Sequence, residues 1–247
     1  SMIAREMCTL VGTIDGFDAE GDSLEWSISE NDLALFSIDK QSGLLSLNDF
    51  PRHNPDEDYN QQITLTVFDG VHEVSKAIPI TLGYDPLYPH QWVLENTGQY
   101  NFAGLSGTDG ADANIMSMNC KYTGKGVVVS IIDEGLEIEH EDLAVNIVEG
   151  SFDWVEDDTD PTNTGLYGDH GTSVTGIIAM KGHNNIGGKG IAPDASLVGY
   201  NWLLAQTNAA LFSSFNGLDG LVEVGVSNNS WGRGSSEWFM PPEYDSD

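Results

Sequence analysis

From Val11 to Leu82 the apolar and polar positions follow a short period of two, broken by turn residues. Ile63, Leu65 and Val67 alternate with Thr64 and Thr66, and Ile78, Ile80 and Leu82 repeat the alternation beyond Asp69-Gly70. Alternation of this kind sends one face of each run into a core and the other into water. Asp15-Gly16, Glu20-Gly21-Asp22 and Ser42-Gly43 supply the turns between runs. The pattern predicts an antiparallel all-β module, and the spacing of its turns fits a small sandwich.

Gly83-Tyr84-Asp85-Pro86 punctuates the chain, and the pattern beyond it changes. Val127 to Ile132, β-branched except at Ser130, is continuously apolar in the way of a parallel strand buried on both faces, and it ends at Asp133. Ser196 to Tyr200 and Val226 to Ser230 read as further strands, with a helix between them in the Ala205 to Leu221 region. Gly168 to Met180 is a small apolar helix-like run with His170 at its mouth, and Gly171, Thr172 and Gly176 let it pack closely against a sheet. The expected organisation is therefore two domains, all-β over 1–82 and an α/β open parallel sheet over 83–247. In such sheets the functional crevice lies beyond the carboxyl ends of the strands, where Asp133 sits.

Composition narrows the function. The chain has 247 residues, 40% of them hydrophobic, which is enough for real cores. Its 39 Asp and Glu against 9 Lys and Arg give a formal net charge of -30. Charge of that sign leaves no basic patch for nucleic acid and repels an anionic membrane surface. Bound cations would relieve the self-repulsion; a solvated acidic surface is the plainer account of much of it. No apolar run approaches the roughly 20 residues of a membrane helix, so no membrane insertion is expected. No signal peptide is visible, and any export signal would have been removed. Cys8 and Cys120 stand too far apart for a disulfide framework or a metal finger.

Asp133 and His170 are a candidate orienting acid and general base. A carboxylate held against one ring nitrogen fixes the tautomer and stabilises the imidazolium formed when the other nitrogen takes a proton. By spacing alone Asp133 could equally be a cap after a strand, and His170 a structural histidine.

The ordered motifs are more specific. Val127-Val128-Val129-Ser130-Ile131-Ile132-Asp133-Glu134-Gly135, His140-Glu141-Asp142-Leu143, Asp169-His170-Gly171-Thr172-Ser173-Val174-Thr175-Gly176 and Gly190-Ile191-Ala192-Pro193-Asp194-Ala195 resemble the subtilisin-like serine proteases. Gln91-Trp92-Val93-Leu94 and Asn229-Ser230-Trp231-Gly232 resemble the kexin and furin branch. The resemblance, running from Asp85 to about Gly232, implies the subtilisin-like fold and makes Asp133 and His170 two members of an Asp-His-Ser triad. It implies a calcium cage of Asp85, Asp142 and Asn184 with the carbonyls of Lys181, Ile186 and Gly188. A second calcium loop would use Asp153, Asp158 and Asp160; read without the family, that acid run is a solvated loop. Oxygen donors of this kind suit Ca²⁺. His183, among the calcium-loop residues, reads as an exposed loop residue, with nothing near it at zinc spacing. Ser230, Trp231 and Gly232 resemble the first wall of a substrate cleft. Glu134 replaces an acid that reads a basic substrate residue in that branch, but Arg233 stands where the branch has proline, so dibasic cleavage is not expected.

The family's Gly-Thr-Ser-x-x-x-Pro segment, which bears the nucleophile, does not occur after His170, and the oxyanion asparagine segment is missing too. Ser173 belongs to the histidine motif. These residues are expected to be the N-terminal part of a secreted or cell-surface, calcium-dependent endopeptidase, inactive on peptide substrates without the serine-bearing half. Val11-Gly12-Thr13, Asp18-Ala19-Glu20-Gly21-Asp22-Ser23-Leu24, Leu35-Phe36-Ser37-Ile38-Asp39, Ser42-Gly43-Leu44-Leu45 and Thr66-Val67-Phe68-Asp69-Gly70 resemble a cadherin repeat. That implies calcium at one pole, with Glu20, Asp56, Glu57, Asp58 and Asp69 as candidate ligands or else solvated acids, and a protein partner for the module. Pro55-Asp56-Glu57-Asp58-Tyr59 departs from the repeat's Asp-Arg-Glu element. The competing reading is a calcium-dependent adhesion or scaffold protein with a degenerate protease-like half.

Overall fold

The computed structural model describes residues 2–5, 10–29, 34–48, 60–100, 104–115, 118, 121–165 and 168–232. Cys8, Cys120, Asp56, Glu57, Asp58 and Arg233 lie outside them. The N-terminal part forms β1 (Met2–Arg5), β2 (Leu10–Thr13), β3 (Glu25–Ile28), β4 (Phe36–Ile38), β5 (Leu44–Leu47), β6 (Asn60–Phe68) and β7 (Glu73–Gly83). They assemble as two sheets, β1-β7-β6-β3 and β2-β5-β4. The core holds Trp26, Ile28, Phe36, Leu45, Leu47, Ile63, Leu65, Ile80 and Leu82. The alternating residues of β6 and β7 thus fill the interior, while on the outer face Thr66 and Ser75 hydroxyls pair across the strands at 2.8 Å. The β6–β7 turn is closed by Asp69, whose Oδ1 accepts the Val71 and His72 amides.

One pairing departs from the antiparallel expectation. β1 runs parallel to β7, from Met2 opposite Ile80 to Arg5 opposite Gly83. Four residues are too few to carry a readable alternation, and β7 has an edge to cover because β6 occupies only its other side.

β7 leads directly into the second part. Tyr84 is buried, its carbonyl accepts the Asn185 amide at 2.8 Å, and a Cβ on Gly83 would lie 2.5 Å from the Cβ of His183. Glycine at 83 therefore lets the strand end press onto the 183–185 loop.

β8 (Val128–Ile132), β9 (Ser196–Tyr200) and β10 (Val226–Asn228) form a parallel sheet in the order β10-β8-β9. Val129 and Ile131 of β8 pack on one side with Leu136, Leu143, Ala179, Ala195 and Leu197. Ile132 packs on the other with Val198 and Tyr200. Burial on both faces explains the unbroken apolar run. Helix α1 (His170–Ala179) turns Gly171, Thr175, Gly176 and Ala179 inward. The region expected as one helix is three pieces, α2 (Trp202–Ala205), α3 (Asn208–Phe215) and α4 (Gly217–Gly220). Left-handed backbone at Gln206, Leu218 and Asp219 breaks it, and the Thr207 side chain caps α3 by accepting the Ala210 amide at 3.2 Å.

Truncating Ile131, which has no solvent exposure, removes packing from the middle of the sheet. Ile131→Ala should cost about 2–5 kcal/mol in urea unfolding, whereas Val127→Ala at the exposed strand entrance should stay within about 1 kcal/mol.

Candidate active site

The site is built where β8 ends and α1 begins. Asp133 follows β8 directly; its amide donates to the Tyr200 carbonyl at 3.0 Å, holding it in sheet register, and its carbonyl accepts the Leu203 amide. The chain then turns at Gly135, whose φ of 138° belongs to glycine. A Cβ on Gly171 would collide with the Gly135 carbonyl and lie 3.0 Å from the Asp133 Cβ. Two glycines thus allow the first turn of α1 to sit on the segment that carries Asp133.

That approach brings His170 Nδ1 within 2.9 Å of Asp133 Oδ1. The Asp133 carboxylate is fully buried while the His170 side chain is 52% exposed, so the imidazole spans from the interior to the solvent. Asp133 Oδ1 also accepts the Glu134 amide at 2.8 Å. Nδ1 is engaged, and Nε2 hydrogen-bonds nothing among the described residues. The His170 pKa is raised above its ordinary value, chiefly by the bond to Asp133; partial burial opposes the shift, and the charges of Asp133, Glu134 and Asp169 add to it. A base held by a buried acid, with its other nitrogen open, can take a proton from a nucleophile placed beside it.

Ser173 is not that nucleophile. It lies along α1 and opens onto a cavity of about 660 Å³ lined also by Glu137, His140, Asn163 and Thr172, which His170 does not line. Glu134 is partly spoken for, because its Oε1 accepts the His170 amide at 3.3 Å, at the positive end of α1. Trp231 turns inward: its Nε1 donates to the Ile132 carbonyl at 2.8 Å and its ring meets Trp202 at 4.5 Å. Ser230 and Gly232 on either side are exposed next to the Asp133 strand end. The anchoring indole has no signal in the strand pattern, since its partner is a main-chain carbonyl far away in sequence.

Asp85, Asp142 and Asn184 are brought together. Asp85 Oδ1 accepts the His183 amide at 2.5 Å and the Asn184 amide at 3.3 Å. Asn184 Nδ2 meets Asp142 Oδ1 at 2.6 Å, and Asp142 Oδ2 accepts the Gly188 amide at 3.3 Å. Both carboxylates are almost fully buried. Burial pushes Asp85 up to about 7 and raises Asp142 as well, and the charge of Asp142 adds to the effect at Asp85. Asp85 Oδ2 accepts no hydrogen bond among the described residues. The carbonyls of Lys181, Ile186 and Gly188 accept none among the described residues either. Buried carboxylates beside open carbonyls are a donor set that fits a hard cation. His183, expected to be an exposed loop residue, instead has a side chain only 8% exposed, with Nδ1 3.7 Å from Asp85 Oδ2. The Asp85–Tyr84 segment packs against its loop and removes it from solvent.

The other acid loops are looser. Asp153 is buried and its Oδ1 accepts the Val155 and Glu156 amides. Asp158 and Asp160 are exposed, each with Oδ1 on the amide two residues ahead. One oxygen of each folds the loop. In the N-terminal module Glu20 is exposed, and Asp69 closes its turn and meets the His72 ring at 3.2 Å.

Comparison with known proteins finds similarity over part of the chain. Residues 124–246 match the model of the Subtilase family. The Aeromonas extracellular serine protease of Aeromonas sobria is 46% identical over 122 residues, 49% of this chain and 19% of that protein. Human neuroendocrine convertase 2 is 34% identical over 155 residues, 60% of this chain and 23% of that protein. The crystal structure of the Aeromonas sobria serine protease superposes with a TM-score of 0.56 at 39% identity, covering 62% of this chain and 26% of that one. The chain thus spans about a fifth to a quarter of the length of these relatives.

Because the folded state holds the His170 proton more tightly than the unfolded chain, the paired imidazolium contributes stability below about pH 6.5. That contribution is lost as pH rises through the raised folded value. By NMR titration Asp133→Asn should bring His170 down toward its ordinary value. The stability gap between parent and variant should be widest below about pH 6.5 and narrow above it.

Proposed function

We propose that residues 124–246, which match the Subtilase family model, form the Asp- and His-bearing part of a secreted, calcium-dependent serine endopeptidase. Its nucleophilic serine and oxyanion donors would come from polypeptide outside these 247 residues. The observation that carries this reading is the 2.9 Å bond between buried Asp133 and half-exposed His170, with Nε2 unbonded among the described residues. In the proposed reaction the serine hydroxyl attacks the peptide carbonyl as Nε2 takes its proton. The Asp133 carboxylate stabilises the resulting imidazolium, which then protonates the leaving amine. Ser230 and Gly232 would supply one wall of the peptide cleft, fixed by the Trp231 indole; Glu134 would border it. Secretion is carried over from the relative named as extracellular.

A calcium ion in the Asp85, Asp142 and Asn184 cage, completed by the carbonyls of Lys181, Ile186 and Gly188, would offset the buried negative charge. Its contribution would be structural, fixing the 181–189 loop to the strand end at Tyr84. Asp153, Asp158 and Asp160 are proposed for a second ion. The module preceding the protease part would serve as a cadherin-like surface for a protein partner.

Extending the polypeptide through a downstream Gly-Thr-Ser segment should give a protein that a fluorophosphonate labels on that serine. His170→Ala should reduce labelling by on the order of 10³-fold or more. Labelling that is indifferent to His170 would overturn the reading. Chelation should lower the thermal midpoint of the 247-residue chain, with excess Ca²⁺ restoring it. Asp142→Asn should abolish most of that difference; a midpoint unmoved by chelator would exclude the cage.

A further inference from the structure

The Asn163 side chain ties the loop that precedes His170 to the strand end that delivers Asp133. Its Nδ2 donates to the Glu134 carbonyl at 2.9 Å, and its Oδ1 accepts the Gly165 amide at 2.9 Å. The Glu134 carbonyl belongs to the residue immediately after Asp133, while Gly165 opens the turn closed by the Gly168 amide on the Gly165 carbonyl at 3.0 Å. Gly168 stands two residues before His170. Contact on both sides is close: a Cβ on Gly168 would lie 2.5 Å from Asn163 Oδ1, and one on Gly135 would lie 2.9 Å from the Asn163 Cβ. Glycine at 168 leaves room for the amide, and glycine at 135 for the Pro161 carbonyl and the Asn163 backbone.

Other bonds reinforce the same junction. Leu136 donates its amide to the Pro161 carbonyl at 3.1 Å, and the Thr162 hydroxyl reaches the Leu136 carbonyl at 3.4 Å. These hold the loop near the strand exit, but neither reaches toward Gly168. Glu134 Oε1 accepts the His170 amide at 3.3 Å and Thr172 Oγ1 the Glu137 amide at 3.0 Å, while the Asn163 amide links the Glu134 carbonyl to the Gly165 amide ahead of α1. Without its donor the Glu134 carbonyl loses this partner, and one link between the strand exit and the approach to α1 is removed.

We propose that Asn163 is a positioning residue for the Asp133–His170 pair, acting through the Glu134 carbonyl and the Gly165 turn rather than by touching a reacting atom. The inference rests on reading that pair as the catalytic acid and base. It extends that reading to a residue outside every motif that identifies the domain.

The test uses the 247-residue chain and follows the His170 Nδ1 proton and the His170 titration by NMR. Asp133, Glu134 and Asp169 are the charged groups that act on this ring, and none is altered. Asn163→Ser keeps an acceptor for the Gly165 amide, and so the loop turn, but cannot reach the Glu134 carbonyl. It should retain most of the parent's thermal midpoint, while the Nδ1 proton exchanges at least several-fold faster and the titration moves toward that of Asp133→Asn. Asn163→Ala should show the same His170 changes with a larger loss of midpoint. Thr162→Val, which removes the longer neighbouring bond, should leave His170 unmoved. An unchanged Nδ1 proton and titration in folded Asn163→Ser would overturn the proposal. If the parent chain itself shows no protected Nδ1 proton and no raised titration, it is the catalytic-pair reading that fails.

Discussion

A carboxylate with no solvent exposure must be answered from within the protein, because burying its charge costs several kcal/mol unless partners replace water. At Asp133 the partners are the Glu134 amide and the His170 ring, both on Oδ1. The rest of the domain can be understood from that requirement. β8 must end at Asp133 in fixed register, which the sheet bond to Tyr200 ensures. Helix α1 must start within contact of the same residue, which demands glycine at 135 and 171. The ring must then reach outward, and its half exposure shows that it does.

Electrostatics set a second constraint on the same scaffold. A net charge of -30 is tolerable when spread over solvated surface, but Asp85 and Asp142 are not on the surface. They lie buried close to one another and to the loop that carries the Lys181, Ile186 and Gly188 carbonyls, which accept no hydrogen bond among the described residues, and burial raises both. Cation binding there would turn a local cost into a clamp between the strand end at Tyr84 and the 181–189 loop. The Asp153 to Asp160 loop differs in kind. One oxygen each of Asp153, Asp158 and Asp160 accepts amides of their own loop.

Much of this was legible in the sequence where the signal is local. Alternation over Ile63 to Val67 and the unbroken run ending at Ile132 give strands of the right kind, because side-chain period follows burial directly. The small residues after His170 give a helix that packs closely. What escaped depends on approaches between distant segments. β1 is too short to show a pattern, and its parallel pairing follows from the open edge of β7. His183 looks like an exposed loop residue until the Tyr84 segment is seen to cover it. The Trp231 indole and the Asn163 amide both bond to main-chain carbonyls next to Asp133, and main-chain acceptors leave no mark in composition or spacing. The break of the Ala205 to Leu221 helix lies at Gln206, Leu218 and Asp219, none of which is a conventional breaker.

The central claim is that His170, held by Asp133, is the base that activates a serine. The pH dependence of serine phosphonylation in the extended protein tests it most directly. A general base must be neutral to accept a proton, so the rate should rise with pH through one ionisation that coincides with the NMR titration of His170 and moves with it in Asp133→Asn. A rate that is flat across that ionisation, or that follows a different group, would contradict the account.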